Sequence, residues 1–93
     1  MKLRVQYTAQ LRTVVGHAEE VVELLEGISL AELLAHLAAR HPDAGPHLVT
    51  STGQIRPSLL VALNGTAVPR DVAGSTTLHE DDEVALLPPI AGG

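Results

Sequence analysis

The sequence predicts an α+β fold in which one amphipathic helix packs on one face of a mixed β-sheet. Three observations lead to this prediction. Residues 2–8 alternate strictly between polar and apolar side chains, which is typical of a half-buried strand. Leucines recur at helical spacing after Ser29, as on the buried side of a helix. The pair Asn64-Gly65, favoured in tight hairpin turns, follows a dense apolar run.

The length of the chain allows one domain and excludes two separate cores. It has 93 residues, of which 45% are hydrophobic, and Tyr7 is the one aromatic residue. The core must therefore consist of Leu, Val, Ile and Ala. A domain of this size has little room for an active-site cavity beside its core. We expect a folded domain over residues 1–87 and a flexible tail over residues 88–93.

The N-terminal part is predicted to contain two strands. Residues 2–8 form the first, and residues 9–16 are a connection with a short apolar stretch, closed by Gly16. Residues 18–26 are ambiguous, because their Glu and Leu content favours a helix while two adjacent valines favour a strand. We interpret them as a strand, since the first strand needs an antiparallel partner.

The main helix has the clearest boundaries in the sequence. Ser29 and Glu32 have the spacing of a capping box, in which each side chain covers an unpaired backbone donor of the other. The apolar face then follows at helical spacing: Leu30, Leu33, Leu34 and Leu37. Arg40 and His41 lie in the last turn, where cations are favoured, and Pro42 ends the helix.

A long loop is predicted over residues 42–57, which prolines, glycines and a serine interrupt repeatedly. At this length we expect mobility and a place for partner specificity. Residues 58–63 follow as a strand buried on both faces over part of its length. After the hairpin turn, residues 66–68 return, and residues 69–77 are irregular. Residues 83–87 form the last strand.

Charge and composition exclude several classes of protein. The chain has 11 acidic and 6 basic side chains, a net charge of −5, and no basic cluster, so we expect no nucleic-acid partner. Cysteine is absent, which excludes disulfides, thiolate-bound clusters, Cys-containing zinc sites and a Cys nucleophile. The start of the chain does not resemble a signal peptide, and no apolar run could span a bilayer. We therefore expect a cytoplasmic protein without a membrane partner.

Side-chain sites for metals or catalysis are not indicated. The candidate ligands are five histidines: His17, His36, His41, His47 and His79. No two of them have the i, i+4 spacing of the helical zinc motif. The acidic run at residues 80–83 lacks the alternating pattern of a calcium loop. No serine lies in a nucleophile-elbow context, so hydrolase activity is not favoured either.

The ending of the chain, residues 87–93, is unusual for a domain. Pro88 and Pro89 remove two backbone donors and favour an extended chain, and Gly92 and Gly93 have no Cβ. Such a tail can enter a narrow channel and place its carboxylate in the active site of another protein. The alternative is a frayed terminus of no function, which is common in last residues.

The whole chain resembles the MoaD/ThiS group of β-grasp, ubiquitin-like sulfur carriers. The resemblance is carried by Tyr7-Thr8-Ala9-Gln10-Leu11-Arg12, by Leu63-Asn64-Gly65, and by residues 82–93. Within the group, the Pro-Pro-x-x-Gly-Gly ending is most similar to that of the small subunit of molybdopterin synthase. The resemblance implies a β-grasp fold.

The resemblance also implies a mechanism. An adenylating partner of the ubiquitin-activating type uses ATP to join the Gly93 carboxylate, next to Gly92, to AMP. A sulfur donor then displaces AMP and leaves a thiocarboxylate. The large subunit of molybdopterin synthase accepts the tail, and the sulfur passes to a pterin precursor. The chain itself binds no cofactor and is a co-substrate rather than an enzyme.

By position, Thr8, Ala67 and Leu87 match the partner-facing sheet surface of this group. Strand alternation turns Leu87 away from the side of Leu86, which suits an exposed apolar contact. The alternative is that these three are ordinary surface or core residues.

Two departures from the group leave other acceptors open. Asp81 stands where members commonly have glycine, although Asp tolerates a left-handed backbone. The 42–57 loop resembles that of the longer carriers that serve cysteine synthesis. Sulfur transfer to cysteine, thiamin or tRNA therefore remains an alternative, as does a ubiquitin-like modifier joined through Gly93 to lysines of other proteins.

Overall fold

One mixed sheet of five strands is the frame of the fold. The computed structural model describes residues 1–89. Within that range the strands are β1 (Lys2–Tyr7), β2 (Glu19–Glu23), β3 (Leu60–Leu63), β4 (Thr66–Ala67) and β5 (Glu83–Leu87). The helices are α1 (Ala9–Val15), α2 (Leu30–Arg40), α3 (Gly45–Leu48) and α4 (Arg70–Ala73). The predicted α+β class is confirmed.

The last strand of the chain lies in the middle of the sheet, whose order is β2-β1-β5-β3-β4. β5 runs parallel to β1, with Val5 opposite Val84, and antiparallel to β3, with Val61 opposite Leu86. β2 pairs with the other side of β1, antiparallel, as expected for residues 18–26. The carboxyl end of the sequence therefore leaves the sheet from its centre.

The core lies between α2 and one face of the sheet. β1 and β5 contribute alternate side chains to it, and α2 contributes its four predicted leucines, all fully buried. The predicted capping box is present: the Glu32 amide donates to Ser29 Oγ at 3.1 Å and the Ser29 amide donates to Glu32 Oε1 at 3.1 Å. No helix within residues 1–89 is long and apolar enough to cross a membrane.

Two left-handed turns have the predicted residues. Asn64 (φ 52°) and Gly65 (φ 86°) make the hairpin between β3 and β4, as expected of a primed turn. Asp81 adopts φ 66° at the position where we expected such a backbone, and its amide donates to the Lys2 carbonyl at 2.8 Å. The departure from glycine at this position is thus accommodated.

The connection predicted at residues 9–16 is wrong, because it forms the helix α1. Leu11 is fully buried in the core, so tertiary packing stabilises a helix of two turns that would be marginal alone. Gly16 closes it in the left-handed conformation (φ 89°), with its amide bonded to the Arg12 carbonyl at 2.9 Å.

The expectation that residues 42–57 are loop throughout is also wrong. The segment contains α3, and the side chains of Ala44 and Leu48 are fully buried against the core. Its two ends are tied together where Arg56 Nε donates to the Pro46 carbonyl at 2.8 Å. Prolines and glycines broke the sequence pattern without preventing burial.

Two smaller expectations need correction in the second half of the chain. β3 is buried on one face only: Leu60 is 50% exposed while its neighbour Val61 is 2% exposed. The segment at 69–77 contains the short helix α4, which packs Ala73 into the core. Hydrophobic periodicity could not reveal either feature. The apolar run of β3 has the same pattern as a strand buried on both faces, and α4 is too short to be told from an irregular turn.

We predict that Leu48→Ala lowers the free energy of unfolding by about 2–4 kcal/mol, because it removes a fully buried side chain from a packed core. The matched control is Leu25→Ala, since Leu25 is 81% exposed; it should change stability by less than about 0.5 kcal/mol. Urea denaturation followed by circular dichroism measures both. Equal effects of the two variants would show that residues 42–57 do not contribute to the core.

Candidate functional site

The carboxyl end of β5 is held by two side chains that follow β1. Thr8 Oγ1 donates to the Leu86 carbonyl at 3.0 Å, and Gln10 Nε2 donates to the Pro89 carbonyl at 3.3 Å. Both donors come from the start of α1, whose N-cap residue is Thr8. The direction in which the chain leaves the sheet is therefore set as far as Pro89. Gly92 and Gly93, the predicted reactive end, lie outside the described residues.

The sequence explains why pairing stops at this point. Leu87 is the last residue of β5 and lies opposite Leu60 of β3. Pro88 and Pro89 have no amide proton to donate to either neighbouring strand. A groove of about 220 Å³ runs beside these prolines, between Gln10 and the α3 residues Pro46 and His47. The 42–57 segment thus borders Pro88 and Pro89, which we call the root of the tail.

The sheet face opposite α2 carries an apolar patch next to this end. Cross-strand partners point to the same face, so the register Leu60–Leu87, Ala62–Ala85 and Ala62–Ala67 places five apolar residues together. We name Leu60, Ala62, Ala67, Ala85 and Leu87 the open-face patch. Their neighbours Val61, Val84 and Leu86 point into the core.

Two of the three predicted contact residues belong to the open-face patch, namely Ala67 and Leu87. Thr8 lies at its border, because Tyr7 is opposite Leu86 and Thr8 follows directly. Its hydroxyl is engaged with the backbone, however, so Thr8 positions β5. Sequence reasoning missed Leu60, since β3 was expected to be buried on both faces. Alternation from Leu87 could have identified Ala85.

Apart from Val21, which lies opposite Arg4 and is 59% exposed, the rest of this sheet face is polar. Gln6 Nε2 donates to Glu83 Oε1 at 2.6 Å, and Arg4 lies 3.9 Å from the same carboxylate. These contacts cross between β1 and the amino end of β5, away from the tail. The face is therefore divided into an apolar half near the carboxyl end of β5 and a charged half near its start.

A second group of polar residues surrounds Glu20 of β2. Its carboxylate accepts hydrogen bonds from the Tyr7 hydroxyl, from His41 Nε2 at 2.7 Å and from Arg40 Nε at 3.2 Å. Burial alone would raise the pKa of Glu20, but the bonds from Tyr7 and His41, with the charges of His41 and Arg40, outweigh it and lower the pKa.

This group ties α2 to the sheet and has no free catalytic member. Burial, and then the hydrogen bond to the Glu20 carboxylate, raise the pKa of Tyr7, so the phenol stays protonated. Glu20 already accepts three donors and cannot readily act as a general base.

The acidic run at residues 80–83 has structural partners. Asp82 accepts from the His79 amide at 2.8 Å and from Asn64 Nδ2 at 2.9 Å, and Glu80 accepts from the Lys2 amide at 3.0 Å. Within residues 1–89 no group of three or more His, Cys, Asp or Glu side chains is placed to hold a metal ion. The features of the described chain that could bind a partner are therefore the end of β5, which is fixed by hydrogen bonds as far as Pro89, and the open-face patch.

Comparison with known proteins gives the family. The profile of the ThiS family matches residues 5–93. The chain belongs to the ThiS family. A curated relative of this family member is the molybdopterin synthase sulfur carrier subunit of Chlamydomonas reinhardtii, 34% identical with all of both chains covered. The small archaeal modifier protein 3 of Haloferax volcanii is 28% identical, again over the full length of both.

Solved structures agree on the fold of this ThiS family member. The crystal structure of SAMP1 from Haloferax volcanii superposes with a TM-score of 0.86, at 25% identity and with all of both chains covered. The β-grasp, ubiquitin-like fold expected from the sequence is confirmed, as is the resemblance to the MoaD/ThiS group.

We predict that Glu20→Gln lowers the free energy of unfolding by about 1–3 kcal/mol at pH 7, because it removes a charge that three donors share. Since the folded pKa of Glu20 lies below its ordinary value of 4.5, its contribution is complete above that pH. It is lost as the pH falls through the folded pKa.

Denaturation of both proteins between pH 7 and pH 3 measures this effect, and the difference between wild type and Glu20→Gln should shrink in the acid range. Glu19→Gln, on the exposed side of the same strand, is the control and should change stability by less than about 0.5 kcal/mol. A pH-independent difference would contradict the assignment.

Proposed function

We propose that this chain is a sulfur carrier whose reactive group is the C-terminal carboxylate of Gly93, acting in molybdopterin biosynthesis. The observation that carries the proposal is the position of β5. This strand lies at the centre of the sheet, its end is held by Thr8 and Gln10, and the open-face patch adjoins it. Curated relatives aligned over their full length are named molybdopterin synthase sulfur carrier subunits.

The chemistry begins with activation, because a carboxylate is a poor electrophile. An oxygen of the Gly93 carboxylate attacks the α-phosphorus of ATP in an adenylating partner, and pyrophosphate leaves. A donor of sulfide then attacks the carbonyl carbon, and AMP leaves with the carboxylate oxygen. The product is a thiocarboxylate on Gly93. In the large synthase subunit the sulfur passes to a carbon of the pterin precursor, and a water oxygen replaces it on the Gly93 carbonyl, which regenerates the carboxylate.

In this scheme the described residues bind and orient, and the partner enzymes catalyse. Thr8 and Gln10 hold the strand end from which the tail extends. Leu60 and Leu87 offer apolar area to a partner, since apolar side chains on an exposed sheet face favour an interface. By itself the chain acts as a co-substrate. The use of ATP and of a pterin precursor suits the cytoplasm.

A second candidate is a protein modifier, in which Gly93 forms an isopeptide bond with lysines of other proteins. The relatives among archaeal modifier proteins favour it. Both candidates need the same activated carboxylate, so they differ in the nucleophile that the partner presents. Sulfur transfer to cysteine, thiamin or tRNA would differ only in the final acceptor.

We predict that part of the untagged protein, purified from its own host, carries sulfur in place of one oxygen at Gly93. Intact mass spectrometry measures the mass increase, and tandem spectra locate it. The cells must be supplied with sulfur donors. Isopeptide linkages alone at Gly93 would then favour the modifier, and a plain carboxylate alone would exclude both functions.

We further predict that deletion of Gly93 abolishes the thiocarboxylate while the free energy of unfolding stays within about 0.5 kcal/mol of wild type. The physical reason is that a glycine has no side chain to contribute to a core, and the core that the structure describes extends from Leu3 to Leu86. Mass spectrometry and urea denaturation on the same sample measure both effects. A clear loss of stability would show that the tail supports the fold.

The open-face patch should be tested by Leu87→Ala, which we expect to raise the KM of the adenylating enzyme for this protein about fivefold or more, with kcat little changed. The physical reason is that the substitution removes apolar contact area next to the tail. Leu25→Ala is the control, because Leu25 is exposed but lies after β2 at the other edge of the sheet. Equal KM values for the two variants would exclude the patch as a contact.

A further inference from the structure

A groove of about 410 Å³ lies beside the open-face patch, at the β3–β4 edge of the sheet. Its walls come from β3, β4, the start of α4 and residues 55–56. Leu59 (6% exposed) lines it together with Leu60, which is 50% exposed and also belongs to the patch. The groove is therefore an apolar extension of the proposed partner face, outside the root of the tail.

Two cations border this groove in a protein of net charge −5. They are Arg56 and Arg70, two of only six basic side chains in the whole sequence. Within residues 1–89 neither arginine forms an ion pair, and no Asp or Glu lines the groove. Arg56 also lines the smaller groove beside Pro88 and Pro89, where its Nε donates to the Pro46 carbonyl at 2.8 Å.

Most acidic side chains lie elsewhere; Asp71 follows Arg70 in α4 but does not line the groove. Glu19, Glu20 and Glu23 belong to β2, which is the strand at the opposite edge of the sheet. The acidic run at residues 80–83 precedes β5. The groove is thus a positive and apolar site on a negative molecule, and a carboxylate-bearing ligand fits it better than a basic one.

The strand beside the groove indicates the shape of the ligand. β4 is the last strand in the sheet order and pairs only with β3 within the described chain, so one row of its backbone groups has no strand partner. An extended peptide can pair with such an edge, while pockets receive alternate side chains. Pro69 limits this pairing to a short stretch.

We propose that the groove binds an extended segment of a partner protein that places an apolar side chain against Leu59 and Leu60 and carboxylates at Arg56 and Arg70. The inference rests on the proposed function in one respect: the partner protein that carries this segment is taken to be an enzyme that processes Gly93. The tail and this segment would then be held at neighbouring places, which orients the carrier on its partner.

The test begins with selection of N- and C-terminally blocked ten-residue peptides from a random library on the full-length protein. Enrichment of sequences that combine Asp or Glu with Leu, Ile or Val is expected. The strongest peptide is then titrated into 15N-labelled protein. The amides that shift should be those of residues 55–61 and 67–70, except Pro57 and Pro69, which have no amide proton.

Arg70→Glu should weaken binding of this peptide on the order of tenfold or more, because attraction is replaced by repulsion. Arg70→Lys should retain affinity within about threefold, and Lys2→Glu, at the far end of β1, is the control for net charge. Enrichment of basic peptides, no enrichment, shifts confined to another surface, or an unchanged affinity of Arg70→Glu would each overturn the inference.

Other occupants give distinct outcomes in the same spectra. Groove amides that shift on dilution of the free protein would show that a second copy occupies the groove. Groove amides that shift in Ile90→Ser without peptide would show that the chain's own tail does so. Either result overturns the inference.

The binding experiments contain neither ATP nor a sulfur donor, so their failure is separate from failure of the proposed function. Thiocarboxylate on Gly93 without peptide binding would refute the groove alone. Peptide binding in a protein that never carries sulfur would refute the carrier function alone.

Discussion

The placement of β5 between β1 and β3 is the constraint on which the rest of the structure depends. A strand that is last in the chain but central in the sheet is bonded on both sides, so its end is held more firmly than an ordinary C-terminus. Tyr7 and Leu86 face each other in the core, and Thr8 then bonds the Leu86 carbonyl. The position of the tail root is a consequence of core packing.

Within the described chain, the polar side chains near the core are engaged in hydrogen bonds that stabilise the fold, so none of them is free to act as a catalytic group. A 93-residue domain gains stability from a core of leucines and valines, and every buried side-chain nitrogen or oxygen among residues 1–89 has a hydrogen-bond partner. Glu20, whose side chain is 12% exposed, accepts hydrogen bonds from Tyr7, Arg40 and His41. A reactive group at the end of a tail separates chemistry from folding, because its reaction does not disturb these bonds.

Sequence reasoning recovered the elements that have a local physical signature. The capping box at Ser29, the alternation of β1 and the turn at Asn64-Gly65 each depend on neighbouring residues and were predicted correctly. Helices α1, α3 and α4 were missed, because they are short and are stabilised by contacts of Leu11, Leu48 and Ala73 with distant residues.

The site divides in the same way. Leu87 could be assigned to the outer face from its own strand, but Leu60 could not, since its exposure depends on which side of β3 is covered. The groove between Arg56 and Arg70 could not be predicted either, because its residues are separated in the sequence by a strand and a hairpin and form no motif.

The charge distribution across the sheet has a consequence for how a partner approaches. Glutamates at the β2 edge repel a carboxylate-bearing segment, while Arg56 and Arg70 at the β4 edge attract it. Attraction at one edge and repulsion at the other favour a single orientation of encounter, in which the open-face patch turns toward the partner. The end of β5 lies between these edges, so the orientation that satisfies the charges also turns Pro88 and Pro89 toward the partner that we propose.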